Sequence, residues 1–314
     1  MRLEPLTLDD ANDWAALLAA AFDRTPADML RLLGWLHESH RVIAWGAWID
    51  DRLAAQYACL MRTVALPDGG LIQVGMSVNM AVHPDYRGRG LIKQIARPVY
   101  QDVALLGGVA GVGFSNAAGV QVDRRSTGYG YRVCGRMIPA AAWIPLRRSA
   151  PALELTESLD ALHDSSAADL FPNSGAIHFA QSSESLLNRY CRHPFRRYHF
   201  GVWREDGRLC GVVVYRPVQL LGLPAAALLG AYGVDLPALL RRWMAALHAA
   251  GTRVVHLLAS ERSALRTALA AGAPVVALPR PRTPYYLTVK PLSESVPLAL
   301  FDFAAWDCAG GDVL

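Results

Sequence analysis

Four successive residues, Arg87-Gly88-Arg89-Gly90, combine two guanidinium groups with two glycines, a combination suited to holding an anion through main-chain amides. Glycine reaches backbone angles that L side chains resist, so such a loop can aim its N–H groups at one point, and a pyrophosphate would fit there. Polar residues stand just upstream on an otherwise apolar stretch: Ser77, Asn79 and His83. Histidine is a residue type that can transfer a proton near neutrality, but His83 also lies in a Val-His-Pro-Asp turn, where it reads as local scaffolding. Ser77 and Asn79 accept no proton at neutral pH and read as groups that order water.

The elements that must position these residues follow from periodicity. Residues 71–82 alternate Ile72, Val74, Met76, Val78, Met80 and Val82 with smaller or polar residues, the period-2 pattern of a half-buried strand. Pro84 and Asp85 end that pattern. Leu91, Ile92, Ile95, Ala96 and Val99 then recur at helical spacing, so the glycine loop opens a helix and its amides point along the helix start. Upstream, the sequence predicts a strand over Met1 to Leu6, helices over Ala15 to Phe22 and Met29 to Leu36, and strands over Val42 to Ile49 and Leu53 to Ala65. Downstream, Val109 to Phe114 reads as another strand.

This strand, loop and helix resemble motif A of the GNAT N-acetyltransferase superfamily, whose Arg/Gln-x-x-Gly-x-Gly/Ala pattern follows a Val-x-Pro strand end. Val82-His83-Pro84, Arg87 and Gly90 match it, while Ile92 stands where Gly or Ala is usual. The resemblance implies acetyl-CoA or another acyl-CoA as cosubstrate and no metal. It places the pyrophosphate on Arg87, Gly88, Arg89, Gly90, Leu91 and Ile92, and the thioester beside Met80, Ala81 and Val82, with carbonyl donors from the amides near Asn79. The strand at 109–114 would splay from the strand at 71–82 and admit the pantetheine arm, which Asn116 would contact. Gly130-Tyr131 matches the pair that ends the next helix. Many members carry a tyrosine acid in that helix, and counting back from Gly130 gives Ser126 at its position, with Tyr129 able to act from another angle. The catalytic candidates are therefore Asn79, His83 and Ser126, with His178, His193 and Asp123 as further bases to weigh.

At 314 residues the chain exceeds one average domain, and its 53% hydrophobic content can build two cores. From residue 184 the organisation repeats. A helix is expected over Glu184 to Cys191, a hairpin from Tyr198–Arg204 and Leu209–Arg216 around Asp206-Gly207, a helix over Leu236 to Ala250, a strand over Val254 to Ala259, a helix over Arg262 to Ala271, and a last strand over Tyr285 to Val289. The residues between Ala225 and Leu236 contain no phosphate-loop pattern, so one CoA site per chain is expected. The second half resembles the C-terminal halves of tandem GNAT proteins through Asn188-Arg189-Tyr190, His193-Pro194-Phe195 and Tyr198, and through Trp306, Gly310 or Gly311, and Asp312. The fold class implied is α/β (α+β): two tandem GNAT-like domains, each a mixed, mostly antiparallel twisted sheet flanked by helices. Residues 1–148 would form the acyl-CoA-binding domain, 149–183 a connecting segment, and 184–314 a degenerate second domain shaping the acceptor site. Tyr190, His193, Arg196 and Tyr198 cluster aromatic and cationic groups and are the expected substrate-binding residues.

The net charge of +4 is scattered, without a basic channel or aromatic-interleaved patch, which argues against a nucleic-acid partner. Five cysteines are widely spaced and include no C-x-x-C pair, so neither a metal site nor a disulfide framework is expected, and Cys59 and Cys210 read as buried small hydrophobes. Charges and prolines interrupt the most apolar region, Leu209 to Val234, which speaks against a membrane span, and the acidic start speaks against a signal peptide; a cytoplasmic location is expected. The function implied is an acyl-CoA-dependent N-acyltransferase that moves an acetyl or short acyl group directly to a primary amine of a small molecule. Some tandem relatives act on nucleotide-linked amino sugars, which makes these one acceptor class. A homodimer stays open, as do two other functions: a non-catalytic acyl-CoA-binding module, and a tRNA-dependent aminoacyl transferase.

Overall fold

The computed structural model describes residues 1–117, 119–120, 130–145, 153–171, 175–278 and 284–313. In chain order its first elements are β1 (Arg2–Pro5), α1 (Ala11–Phe22), α2 (Pro26–Ser39), β2 (Val42–Ile49), β3 (Arg52–Ala65), β4 (Leu71–Val82), α3 (Leu91–Leu105), β5 (Gly108–Ser115) and β6 (Arg132–Arg136). There follow β7 (Ile138–Trp143), β8 (Glu154–Thr156), β9 (His178–Phe179), α4 (Ser183–Leu186), β10 (His199–Glu205), β11 (Arg208–Leu220) and β12 (Leu223–Gly233). The last are α5 (Leu236–Ala249), β13 (Val254–Ala259), α6 (Ala264–Ala270), β14 (Val275–Ala277) and β15 (Tyr286–Pro291).

Local chemistry sets many of the boundaries. Thr25 caps α2 by accepting the Asp28 N–H at 3.1 Å, with Pro26 supplying the first helical φ. The hairpin turns Asp50-Asp51 and Asp206-Gly207 hold positive φ at both residues, as a two-residue turn matching strand twist requires.

The chain divides into two units. Unit one comprises Met1–Val64, Leu71–Gly135 and Tyr285–Phe301; unit two comprises Ala65–Gly70, Arg136–Pro284 and Asp302–Leu314. The sheet of unit one runs β1-β2-β3-β4-β5-β15-β6, and that of unit two runs β14-β7-β13-β12-β11-β10-β8. Both are mixed, mostly antiparallel sheets flanked by helices. In unit one, Ile95, Val99 and Val103 of α3 pack on Ala47, Ala55, Tyr57 and Cys59. In unit two, Leu239, Leu240, Trp243 and Leu247 of α5 pack on Val213, Val255 and Leu257. Each helix buries one stripe and exposes the other, as a helix on a sheet must.

Three expectations change. The strand expected over Tyr285 to Val289 to end the second half runs over Tyr286–Pro291 and pairs antiparallel with β5 in unit one, from Tyr286–Ser115 to Pro291–Ala110. Periodicity identifies a strand but not its sheet. The helix expected over Glu184 to Cys191 is a short α-turn followed by a π-helical turn, Leu187–Cys191, whose extra residue shifts the register of the side chains that follow. Cys210 is half-buried rather than buried. Among the described residues no helix is long and apolar enough to cross a membrane.

Candidate active site

The first crossover, β4 to α3 to β5, carries the site. β4 and β5 pair in parallel from Gln73–Gly108 to Met76–Val112, and the ladder stops there although both strands continue. From Ser77 onward the two strands part. Asn79 holds φ +49 inside β4, a left-handed angle that asparagine tolerates better than most residues. Its carbonyl accepts a hydrogen bond from the side-chain amide of Gln56, which is fully buried on β3. Asn79 thus acts through its backbone, as the kink that separates Met80, Ala81 and Val82 from the regular strand before them.

After Val82 the chain enters a 3-10 turn, Pro84–Tyr86, capped by His83. The His83 Nδ1 lies 3.3 Å from the Asp85 N–H, and its Nε2 lies 2.8 Å from an Arg52 guanidinium nitrogen. Both ring nitrogens are engaged, Nδ1 by the turn and Nε2 by Arg52 at the start of β3, which ties His83 to the shape of the loop.

Gly88 and Gly90 take φ of +79 and +69. A Cβ built on either meets nothing within 4 Å, so backbone angle rather than crowding demands glycine here. Gly90 is the N-cap of α3, no side chain caps the helix, and its first turn holds no acid. Among the described residues no side chain therefore satisfies the first N–H groups of the helix, which lie at the positive end of its dipole. Arg87 is exposed and, among the described residues, without a polar partner. Arg89 folds back, its guanidinium carbon 5.0 Å from the centre of the Tyr86 ring and one nitrogen 3.4 Å from the Asp85 carbonyl. Leu91 and Ile92 turn into the α3 core, so the large residue at 92 leaves the loop open. Asn116 caps the turn after β5 by accepting the Gly119 N–H at 2.9 Å with its side-chain oxygen. Ser126, with Asp123 and Tyr129, lies outside the described residues.

Where β4 leaves β5, four hydroxyls converge that the sequence did not single out as a group. The Tyr57 hydroxyl is 2.5 Å from that of Tyr100 and 2.9 Å from that of Tyr131, and it also hydrogen-bonds Ser77. Ser77 Oγ is 3.1 Å from the Tyr100 hydroxyl and 3.0 Å from that of Tyr131. Burial pushes Tyr57 and Tyr100 well above the usual phenol range, so both stay protonated. Ser77 and Tyr131 are half-buried and keep some exposure. The Lys290 Nζ lies 5.6 Å from the centre of the Tyr100 ring, and burial lowers its pKa. A neutral, connected set of hydroxyls can pass a proton without creating a buried charge. Separations of 20 to 74 residues within this cluster explain why no spacing rule finds it.

Unit two repeats the crossover with its working end closed. β12 and β13 pair in parallel from Ala225–Val254 to Leu228–Leu257. Asp235 then caps α5 by accepting the Ala238 N–H at 2.9 Å, and Pro237 occupies its first turn. Beyond Leu228 the neighbouring main chain is occupied by a later segment: the Gly311 N–H donates to the Leu229 carbonyl at 2.9 Å, and Ala309 bridges Ala259.

Tyr190, His193, Arg196 and Tyr198, the expected substrate-binding residues, do come together. They line one cleft of about 660 Å³ within unit two. Tyr190 and Tyr198 stack edge to face with ring centres 4.9 Å apart and back the cleft, and the His193 ring lies 6.2 Å from that of Tyr198. Among the described residues no group of three or more His, Cys, Asp or Glu side chains is placed to hold a metal ion.

Comparison with known proteins bears on the fold. Residues 2–121 match the family model described as acetyltransferase (GNAT) domain. No curated protein matches the chain. Among solved structures, a conserved Enterococcus faecalis V583 protein of unknown function, described as a probable N-acyltransferase, superposes with a TM-score of 0.70 at 16% identity, over 93% of this chain and 72% of that one. Eis1 of Mycobacterium abscessus gives 0.62 at 14% identity over 93% of this chain and 74% of its own. A tandem GNAT protein from the clavulanic acid biosynthesis pathway gives 0.53 at 14% identity over 94% and 100%. At these identities the likeness is one of fold.

Proposed function

Because residues 2–121 match the GNAT acetyltransferase domain model and the fold is like that of a tandem GNAT protein, we propose that the protein is an acyl-CoA-dependent N-acyltransferase acting on a primary amine of a small molecule. The observation that carries this reading is the uncapped N-terminus of α3, opened by two left-handed glycines at the point where β4 parts from β5. The CoA pyrophosphate accepts hydrogen bonds from the amides of residues 88–92, with Arg87 as the uncommitted cation beside it. The pantetheine arm follows the gap between β4 and β5 toward Asn116, and the thioester carbonyl takes donors from the main chain of Asn79, Met80 and Ala81.

Transfer is direct. The unprotonated amine attacks the thioester carbon, a C–N bond forms, the C–S bond breaks, and the leaving thiolate takes a proton. Tyr131, backed by Ser77, Tyr57 and Tyr100, supplies that proton, and the cluster restores it from its exposed side. His83 holds the loop, and water ordered at the polar face of β4 removes the proton of the amine. A nucleotide-linked amino sugar is the narrower acceptor class with which to start a screen. The test is calorimetric titration of acetyl-CoA into the parent and a Gly90→Glu variant, followed by product analysis with mixed amines. Binding by the parent that disappears in the variant, together with an N-acylated product, supports the reading. A folded parent that binds no acyl-CoA defeats it, and binding without product under every amine leaves a binding module instead.

A further inference from the structure

The unit-two cleft holds chemistry that acyl transfer does not consume. We propose that it binds a nucleoside phosphate, with the phosphate on Arg196 and Arg197 and the base on Phe195. The cleft contains several guanidiniums, but they are not equivalent. Arg192 is committed to its own helical segment, donating to a Glu184 carboxylate oxygen at 3.0 Å and to the Asn188 side chain. Arg196 and Arg197 are exposed, adjacent, and without a carboxylate or hydrogen-bond partner among the described residues. Two neighbouring unpaired cations repel until an anion lies between them, and a phosphate offers the fork of guanidinium donors enough acceptors for both.

The rest of the lining supplies the other contacts of a nucleotide. His193 lies among these cations: burial first, then the charges of Arg196, Arg189 and Arg216, lower its pKa to about 4. The ring is therefore neutral at pH 7. Its Nδ1 accepts the Phe195 N–H at 3.1 Å, which places the proton of the neutral ring on Nε2. Phe195 is 42% exposed, with its ring centre 6.1 Å from that of His193, and presents a flat apolar face to a base. Glu157 and Asp160 also line the cleft, and Glu157 lies 3.9 Å from the His199 ring. These carboxylates repel phosphate and accept hydrogen bonds from ribose hydroxyls, which fixes the orientation of the ligand. A volume near 660 Å³ lies inside the range of small-ligand sites.

The same chemistry is offered by a free nucleotide and by the nucleotide end of CoA, so the experiment separates them. AMP, UMP, adenosine, inorganic phosphate and CoA are each titrated into the full chain and into Arg196→Ala/Arg197→Ala, Phe195→Ala and Gly90→Glu variants, with melting curves to confirm folding. A nucleoside monophosphate is expected to bind at least about tenfold tighter than inorganic phosphate or adenosine, and the double arginine variant to lose about tenfold or more. Phe195→Ala should weaken the nucleotide but not inorganic phosphate, and Gly90→Glu should leave AMP binding intact while removing CoA. Failure of AMP and UMP to bind a folded parent overturns the proposal, as does equal affinity for inorganic phosphate. Loss of AMP binding in Gly90→Glu would assign the nucleotide to the first unit and overturn it too. Loss of CoA affinity in the double arginine variant would make the cleft the seat of the CoA nucleotide and refute a separate ligand. Because acetyl-CoA binding is read apart from AMP binding, this inference and the proposed function can fail independently.

Discussion

The two crossovers of this chain are built alike and finished differently. Each runs a strand into a helix and back to a parallel partner, and in each the regular pairing covers four residues of the second strand or close to it before the strands part. In unit one the helix begins at a left-handed glycine with no side-chain cap among the described residues and no acid in its first turn. In unit two it begins at Asp235, whose carboxylate takes an amide that a phosphate would need and brings a negative charge to the same place. The gap beyond the pairing is lined by four hydroxyls in unit one and met by Ala309 and Gly311 in unit two. On the proposed reading the scaffold alone does not make a CoA site: an open helix end and an unfilled strand gap would both be required, and each can be closed by a few residues.

The comparison can be broken experimentally. Gly90→Glu imposes left-handed strain of about 1–2 kcal/mol and places an acid at the helix end, in effect giving α3 the finish of α5. Acetyl-CoA affinity should fall by at least about a hundredfold with a small change in Tm, as read by calorimetry and melting. Gly311→Val attacks the filled gap, because a Cβ there meets the Leu229 carbonyl oxygen at 2.8 Å and the Tyr190 hydroxyl more closely still. A loss of about 3 kcal/mol is expected in denaturant unfolding. If Gly311→Val melts like the parent, the segment does not hold the gap.

Smaller effects sharpen the contrast. Tyr131→Phe keeps the ring and deletes one hydroxyl of the cluster, so kcat should fall by about a hundredfold while the KM for acetyl-CoA holds, and the alkaline limb of the pH profile should move. An unchanged kcat would remove Tyr131 from the proton path. Asp235→Ala should lose about 1 kcal/mol of stability without altering acetyl-CoA binding, since the second gap stays filled. His193 is held near pKa 4, below its ordinary 6.5, so the native ring is neutral and the unfolded ring takes up a proton first. Its share of stability is whole above about pH 6.5 and is lost as pH falls toward 4; Tm of the parent should drop across that window and that of His193→Gln should drop less.

What the sequence made legible follows the same divide. β4, the glycine loop and α3 could be read because alternation, glycine pair and helical spacing are local signals, and β2 and β13 fall at the bounds periodicity predicts. β12 was not read as a strand: its Ala225-Ala226-Ala227 run and Pro224 have little intrinsic strand preference, and pairing on both edges is what extends it. The hydroxyl cluster was illegible for another reason. Tyr57 and Tyr100 sit at buried positions of a strand and a helix, where tyrosine reads as core, and only the tertiary fold reveals that their hydroxyls meet. In the second unit the aromatic and basic spacing of residues 190–198 gave the right group of residues for the cleft, yet nothing in it distinguishes Arg192, tied to Glu184, from Arg196 and Arg197.

The pairing of β15 with β5 bears on synthesis as well as on shape. A ribosome releases β5 long before β15, so the nascent first sheet waits with the edge of Gly108–Ser115 unclaimed while the bulk of unit two emerges and folds. A bare edge is a template for any extended peptide. Translation interrupted before residue 286 would thus yield a chain whose first unit carries its glycine loop intact and still aggregates through β5.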